Sequence, residues 1–418
     1  MIILTIMICF SLTLAGCGGN ASQMPESRPD ANKTVIRISF SGTELEKRVR
    51  YETAERFMQA HPEISIEWID LGPNRYEKTL TLISGGNAPD ILYINEWTLS
   101  LAERGVLLPL DDFIAGDASF RKQDFYPAVM EAYQFDGKQY GIPQEISPYV
   151  TYYNKDLFDQ AGVPYPTDQW SEAQFMEAAA RLTDPDKQQY GFLYDNYGAP
   201  LDGMLSRNNV EIYAADPAQS RLDSADALET LTTIKRMAVD DKSSPDPADI
   251  RAMGQGSESL FRNQHIAMFS AGMWHLPSFG NHPLPFNWDV VKMPRKRNQQ
   301  TKVAALSWSI SKDSKHPREA WEVLNYFTGI EGMRIVAKHS MALPAVSNKE
   351  VNSIILEAKF PQHIQAFVDS APDIRMTEYK NERFSEINDI IAEVMDKLLL
   401  GDITPEEAQR QLLAKIEG

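Results

Sequence analysis

The residue types that usually perform chemistry are present in this chain, but not in the spacings that chemistry requires. Seven histidines stand at positions 61, 265, 275, 282, 316, 339 and 363, none with metal-ligand spacing. His265 and His275 come nearest to one another in pattern, and structural roles account for both. There is no G-x-G-x-x-G, no G-x-x-x-x-G-K-[ST], no H-E-x-x-H and no G-x-S-x-G. The 58 Asp and Glu leave an acid/base pair of the kind that cleaves glycosides open as a reading. The only cysteines are Cys9 and Cys17, so no disulfide or thiolate metal site is expected in the body of the chain. No catalytic residue, metal or cofactor is assigned.

The balance of 41 Lys and Arg against 58 Asp and Glu gives a net charge of −17 and a pI near 4.9. Phosphate binding draws on clustered Lys and Arg, so nucleic acid is excluded as a partner. Met1 to Gly16 carry no charge and are almost wholly apolar. A membrane-spanning helix needs about 20 such residues, so this run has the dimensions of a signal-peptide core. Leu14-Ala15-Gly16-Cys17 is similar to the lipobox of bacterial lipoproteins, which implies cleavage after residue 16 and acylation of Cys17. No Lys or Arg precedes the apolar run, so translation is expected to begin a few codons upstream. Residues 17–33 read as the lipidated Cys and a polar tether, about 16 flexible residues reaching roughly 20–25 Å. The expected location is the outer face of the cell membrane, held by the lipid alone.

Beyond the tether, strands and helices alternate. Val35 to Phe40, Ile64 to Ile69 and Asp90 to Ile94 read as strands, with helices after Thr43 and from Tyr76 to Ile83 between them. Ser41 or Thr43 caps the first helix. This spacing predicts a mostly parallel sheet with helices on its faces. Further helices are expected from Thr167 to Leu182 and from Ala225 to Val239, and strands at His265 to Ser270, Trp288 to Met293 and Val303 to Ile310. From Asn348 onward the pattern is helical, and Thr404-Pro405-Glu406-Glu407 opens the last helix.

Six short segments carry a resemblance. Ser84-Gly85-Gly86-Asn87-Ala88-Pro89-Asp90-Ile91-Leu92 resembles the signature of the maltose-type extracellular solute-binding proteins of ABC importers (family 1). In order follow Gly105 to Asp111 (GVLLPLD), Tyr140-Gly141-Ile142-Pro143 with Tyr152 to Phe158 (YYNKDLF) and Ala161-Gly162, then Ile266-Ala267-Met268 with Gly272-Met273-Trp274, then Ser307 to Lys312 (SWSISK), and Leu343-Pro344. The resemblance implies an α/β, two-lobed periplasmic-binding-protein-like fold of type II, with a hinge between the lobes and a helical C-terminal region. By carry-over, lobe one is 34–141 plus 301–341, and lobe two is 142–300 plus 344–418. It also implies a monomer that captures a mono- or oligosaccharide and delivers it to an ABC permease, with no chemistry of its own.

A sugar presents hydroxyls around an apolar face, so its site needs aromatic plates and fixed polar groups. Where the family contacts ligand, the suitable residues here are Trp274 as the stacking plate, Glu96 and Trp97 after the third strand, Glu145, and the cluster Tyr194, Asp195 and Tyr197. Trp308, in the SWS strand, faces either cleft or core. Thr43 and Glu44 follow the first strand and offer a hydroxyl and a carboxylate. Two other readings stay open: a surface enzyme acting on glycans through an acid pair, and the same fold holding a metal or polyamine. The adjacent Tyr152-Tyr153 resembles the tyrosinate ligands of ferric-binding relatives.

Overall fold

The structure is a computed structural model describing residues 33–416, apart from 73, 95–96, 195–198, 215–216, 377–380 and 382. Strand β1 (Thr34–Phe40) buries Ile36 and Ile38 completely, and β2 (Ile64–Asp70) runs parallel to it. Helix α1 (Glu44–Ala60) connects them. Thr43 is its cap: the Thr43 hydroxyl accepts from the Glu46 N–H, and the Glu46 carboxylate accepts from the Thr43 N–H. Val49, Ala54 and Phe57 form the buried side of α1. Helix α2 (Arg75–Ser84) leads to β3 (Ile91–Ile94), parallel to β1. To this point the predicted alternation holds.

The chain continues through β4 (Ile142–Pro148), β5 (Val150–Asn154), β6 (Met268–Ala271), β7 (Trp288–Val291), β8 (Thr301–Ile310) and β9 (Leu343–Pro344). The main sheet has the order β2-β1-β3-β8-β4-β9, and β8 is antiparallel to both β3 and β4. The expected mostly parallel sheet is therefore mixed, because β8 is a returning strand that comes back from the far side of the molecule. A second sheet, β6-β5-β7, is wholly antiparallel.

The expected lobe boundary after Gly141 falls instead inside the main sheet. All seven residues of β4 are buried, and β4 pairs with β8 on one side and β9 on the other. Pairing stops at Pro148, which has no N–H to donate to a ladder. The single residue Tyr149 then carries the chain into β5. There it meets the other crossing, for its N–H donates to Lys302 O at 2.9 Å and its carbonyl accepts from the Thr301 hydroxyl at 2.7 Å.

Helix α3 (Glu172–Arg181) starts later than the pattern from Thr167 predicted, because Ser171 forms a capping box with Gln174. With α4 (Ala199–Arg207) and α5 (Ala225–Lys235) it covers the second sheet, and the short α6 (Ser257–Arg262) precedes β6. Helices α7 (Pro317–Thr328), α8 (Ile330–Lys338) and α9 (Lys349–Glu357) pack on the main sheet and α1. Helices α10 (Phe384–Leu399) and α11 (Pro405–Ile416) pack instead with α5. The stretch after residue 344, expected to belong wholly to lobe two, is thus divided between the bodies.

The interior of the main-sheet body holds a charge. Arg50, on α1, is completely buried, and its Nη2 donates to Glu145 Oε1 at 2.6 Å and to the Tyr93 hydroxyl at 2.7 Å. The Tyr93 hydroxyl donates to the same carboxylate oxygen at 2.7 Å. Burial works to lower the Arg50 pKa, yet the neighbouring Glu145 and Tyr93 hold it above its usual value. Trp308 lies beneath, 1 % exposed, with its ring 4.4 Å from that of Tyr93 and its N–H donating to Gln144. Of the two faces left open for it, Trp308 occupies the core, where it cannot reach a ligand.

Removing one partner of a buried ion pair leaves the other uncompensated. Glu145→Ala should cost about 3–5 kcal/mol in urea unfolding, and the double variant Arg50→Met/Glu145→Leu should recover most of it. A single-variant loss under about 1 kcal/mol would mean that water reaches Arg50.

Candidate functional site

A cleft of about 500 Å³ separates the two bodies. The main-sheet body contributes Thr43 and Glu46 from the start of α1, Glu145 and Ser147 from β4, and Ala304 and Leu306 from β8. The second body contributes Glu258, Trp274, His275 and Ser278. On β4, residues 145 and 147 share a face by the two-residue strand period, which is why both reach the cleft.

Trp274 is the dominant feature of the wall, a large aromatic side chain that remains 42 % exposed. Three constraints hold it there. Its Nε1–H donates to His275 Nε2 at 3.0 Å, which leaves His275 Nδ1 to carry the proton and donate to Glu258 Oε2 at 3.2 Å. The Tyr149 ring meets it edge to face, centroids 5.4 Å apart. Gly272 lets it approach: a Cβ there would lie 2.3 Å from Trp274 Cζ3 and 2.4 Å from Ser147 Oγ. Ser147 Oγ accepts from the Met273 N–H at 2.6 Å, so the turn bearing Trp274 is bonded to β4 of the opposite body.

Glu258 ends this relay. The hydrogen bond from His275 pulls its pKa down most, aided by Ser278 and Arg262 and opposed by burial, to about 2. An ionised carboxylate is the right acceptor for His275 but the wrong group for a general acid, which needs a raised pKa. Glu145 lines the same cleft, with Oε1 already accepting from Arg50 and Tyr93 and Oε2 without a partner. The acid-pair reading therefore lacks a proton donor at Glu258.

The structure gathers only part of the predicted set. Trp274, Glu145 and Thr43 come together in the cleft, although the Thr43 hydroxyl is engaged in capping α1. Glu44 lines no part of it and pairs with Lys47. Trp97 packs on α2, its ring 4.8 Å from that of Tyr76 and 5.0 Å from the Arg75 guanidinium. Tyr194 is 2 % exposed within the core of the second body, among the apolar residues around Phe192. Glu96, Asp195, Tyr197 and Cys17 lie outside the described residues. Sequence reasoning missed Glu258 and His275, whose only signal was proximity to Trp274 in the chain, and Glu46, hidden as a helix-start acid.

The tyrosinate reading fails at Tyr152. Its hydroxyl donates to Gly272 O at 2.6 Å, and burial pushes its pKa well above the usual value, so it stays protonated. Among the described residues, the His and carboxylate groups close enough to hold a metal ion are His61, Glu63 and Glu322, on the outer surface and remote from the cleft lining. No helix among the described residues is long and apolar enough to cross a membrane.

The profile of the bacterial extracellular solute-binding proteins matches residues 42–334. The galactooligosaccharide-binding protein of Bacillus subtilis (strain 168) is 22 % identical over 437 residues, covering 99 % of this chain and 97 % of the relative. An ABC substrate-binding protein of Listeria monocytogenes, solved in complex with cycloalternan, superposes with a TM-score of 0.83 at 30 % identity, over 92 % of this chain and 98 % of that one. The sugar-binding protein MalE of the phytopathogen Xanthomonas citri has the same fold, with a TM-score of 0.77 at 20 % identity over 92 % and 97 % of the two chains. The two-lobed architecture, the mixed main sheet and the profile match through both bodies agree: this chain belongs to the bacterial extracellular solute-binding protein family.

Proposed function

We propose that the protein captures a carbohydrate between its two bodies and hands it to an ABC permease, without transforming it. The observation that carries this reading is the exposed Trp274, braced by Tyr149, His275 and Gly272 so that its ring stands ready in the cleft before any ligand arrives. An aromatic face held rigid suits the apolar face of a pyranose, and the carboxylates of Glu46, Glu145 and Glu258 around it suit its hydroxyls. The relatives support the same reading, since one is a galactooligosaccharide-binding protein and another was solved with cycloalternan. Closure of the bodies on a bridging ligand would follow from its greater affinity for the closed state. A lipid on Cys17 would keep the body, as a monomer, beside the permease.

Thermal unfolding against neutral mono- and oligosaccharides tests the reading. A ligand at 100 times its Kd adds about 2.7 kcal/mol, a visible rise in midpoint. No rise with any sugar would defeat the proposal, and consumption of an oligosaccharide would restore the enzyme.

Trp274→Ala should weaken binding of the sugar so found by about 1–3 kcal/mol while leaving the unfolding midpoint of the free protein nearly unchanged. Unchanged affinity would remove Trp274 from the site.

The depressed pKa of Glu258 sets a pH window. Its contribution to stability is complete above the unfolded value of 4.5 and is lost as pH falls through about 2. Glu258→Gln should therefore lower the unfolding midpoint above about pH 5, with the difference from the parent closing as pH approaches 2. A difference independent of pH would mean that Glu258 is not held as a carboxylate.

Cys17→Ser should move the protein from the membrane fraction to the soluble or unprocessed fraction. Continued anchoring of this variant would overturn the lipid assignment.

A further inference from the structure

The bond that braces Trp274 sets a condition on the protonation of its partner. An indole N–H is a donor and has no acceptor to offer, so the 3.0 Å contact with His275 exists only while His275 Nε2 is unprotonated. The imidazole is also prevented from exchanging its two nitrogens by turning over. It is 9 % exposed and boxed by rings: Phe279 stacks on it at 14° with centroids 5.8 Å apart, and Phe269 and Tyr152 meet it edge to face at 5.4 and 6.1 Å. On its far side Glu258 accepts from Nδ1, and the Arg262 guanidinium lies 3.3 Å from the same carboxylate.

A proton arriving at Nε2 would strengthen one of these bonds and break the other. The bond to Glu258 becomes charge-assisted, whereas two N–H donors then face each other where Trp274 was held, and the indole loses the polar partner that fixes its angle. Charged and titratable groups face His275 from several elements. α6 brings Glu258 and Arg262, β5 brings Tyr152, and the cleft brings Glu46, Glu145 and the exposed His282. A smaller cavity of about 250 Å³ behind Trp274, which His275 also lines, brings Arg207 and Lys302. Glu258 is already ionised, its pKa drawn down to about 2 first by the His275 bond, Tyr152 is held protonated by burial, and Glu145 is paired with Arg50. Imidazole is the side chain whose charge changes between pH 5 and 8, which leaves His282 as the rival of His275 in this cleft.

We propose that His275 is a positioning residue that makes sugar capture pH-dependent: neutral, it holds Trp274 at the angle that stacks on the ligand, and protonated, it releases the ring and weakens the hold on the sugar. The inference rests on the carbohydrate reading of the cleft and adds a regulation of that same site. Proton and sugar then compete without touching the same atom. Because such coupling is reciprocal, a bound sugar keeps the proton off His275, and binding within the titration range expels protons.

Calorimetric titration of the full-length protein with galactotriose, maltotriose and cycloalternan, repeated from pH 8 to pH 5, tests this. The affinity of a sugar that binds should fall about threefold to tenfold toward pH 5, the worth of one hydrogen bond. Proton release should appear as a binding heat that varies with the ionisation heat of the buffer. His275→Gln should flatten the pH profile, and His282→Gln should leave it in place. Glu258→Gln removes the charge that favours the imidazolium and should move the midpoint of the fall to lower pH. That shift and the proton release decide the matter should His275→Gln fail to fold. A parent affinity that is flat or rises toward pH 5 overturns the inference and leaves the carbohydrate reading intact. So does a fall that survives His275→Gln, one that His282→Gln abolishes, or a midpoint that Glu258→Gln leaves unmoved. Binding of no sugar at any pH removes the carbohydrate reading and this inference with it.

Discussion

A buried guanidinium must be paired, and in this protein that requirement organises the ground between the two bodies. Arg50 reaches from α1 into the main sheet with no exposure to water, so the sheet has to bring it a carboxylate and a hydroxyl. β4 supplies the first through Glu145 and β3 the second through Tyr93, while the Trp308 ring lies within cation–π range at 5.9 Å. Three strands and a helix are thereby held in one register. Once Glu145 is placed, the two-residue period of β4 sends Ser147 to the same face, and Ser147 accepts the hydrogen bond that fixes the Met273 turn. The position of Trp274 thus descends from a charge pair inside the opposite body.

The same geometry explains where the molecule can bend. β4 and β8 separate only after Pro148, and the crossings at Tyr149 and Thr301–Lys302 are bonded to each other rather than running apart. A change of angle between the bodies would concentrate at these few residues, next to Trp274. Tyr149 belongs to both the crossing and the aromatic brace, so motion at the crossing is coupled mechanically to the stacking plate.

Electrostatically, the cleft is lined by acids. It carries the carboxylates of Glu46, Glu145 and Glu258, the last held ionised through His275. The net charge of −17 gives no hint of this arrangement, since it averages over a surface that contributes nothing to the site. Low dielectric surroundings make the local signs matter more than the total.

Much was legible in the residues alone. Alternating β-branched runs marked β1, β2 and β3, the Ser41 or Thr43 cap and the Thr404 capping box marked helix starts, and the family resemblance carried by six short segments in order implied the two-lobed architecture, because each signal depends on neighbours in the chain. Trp274 was legible through the resemblance carried by Gly272-Met273-Trp274, and the structure supplies the reason for the glycine, where a Cβ would lie 2.3 Å from the indole. Three things were settled only by tertiary structure. The strand directions of the mixed sheet were one, because a returning strand has no local mark. The break at Tyr149 was another, because pairing partners of Ile142–Pro148 lie more than a hundred residues away in β8 and β9. The company kept by Glu258 and Arg50 was the third. Whether a charged residue is solvated or paired depends on groups that the chain delivers from elsewhere, and no spacing rule encodes that delivery.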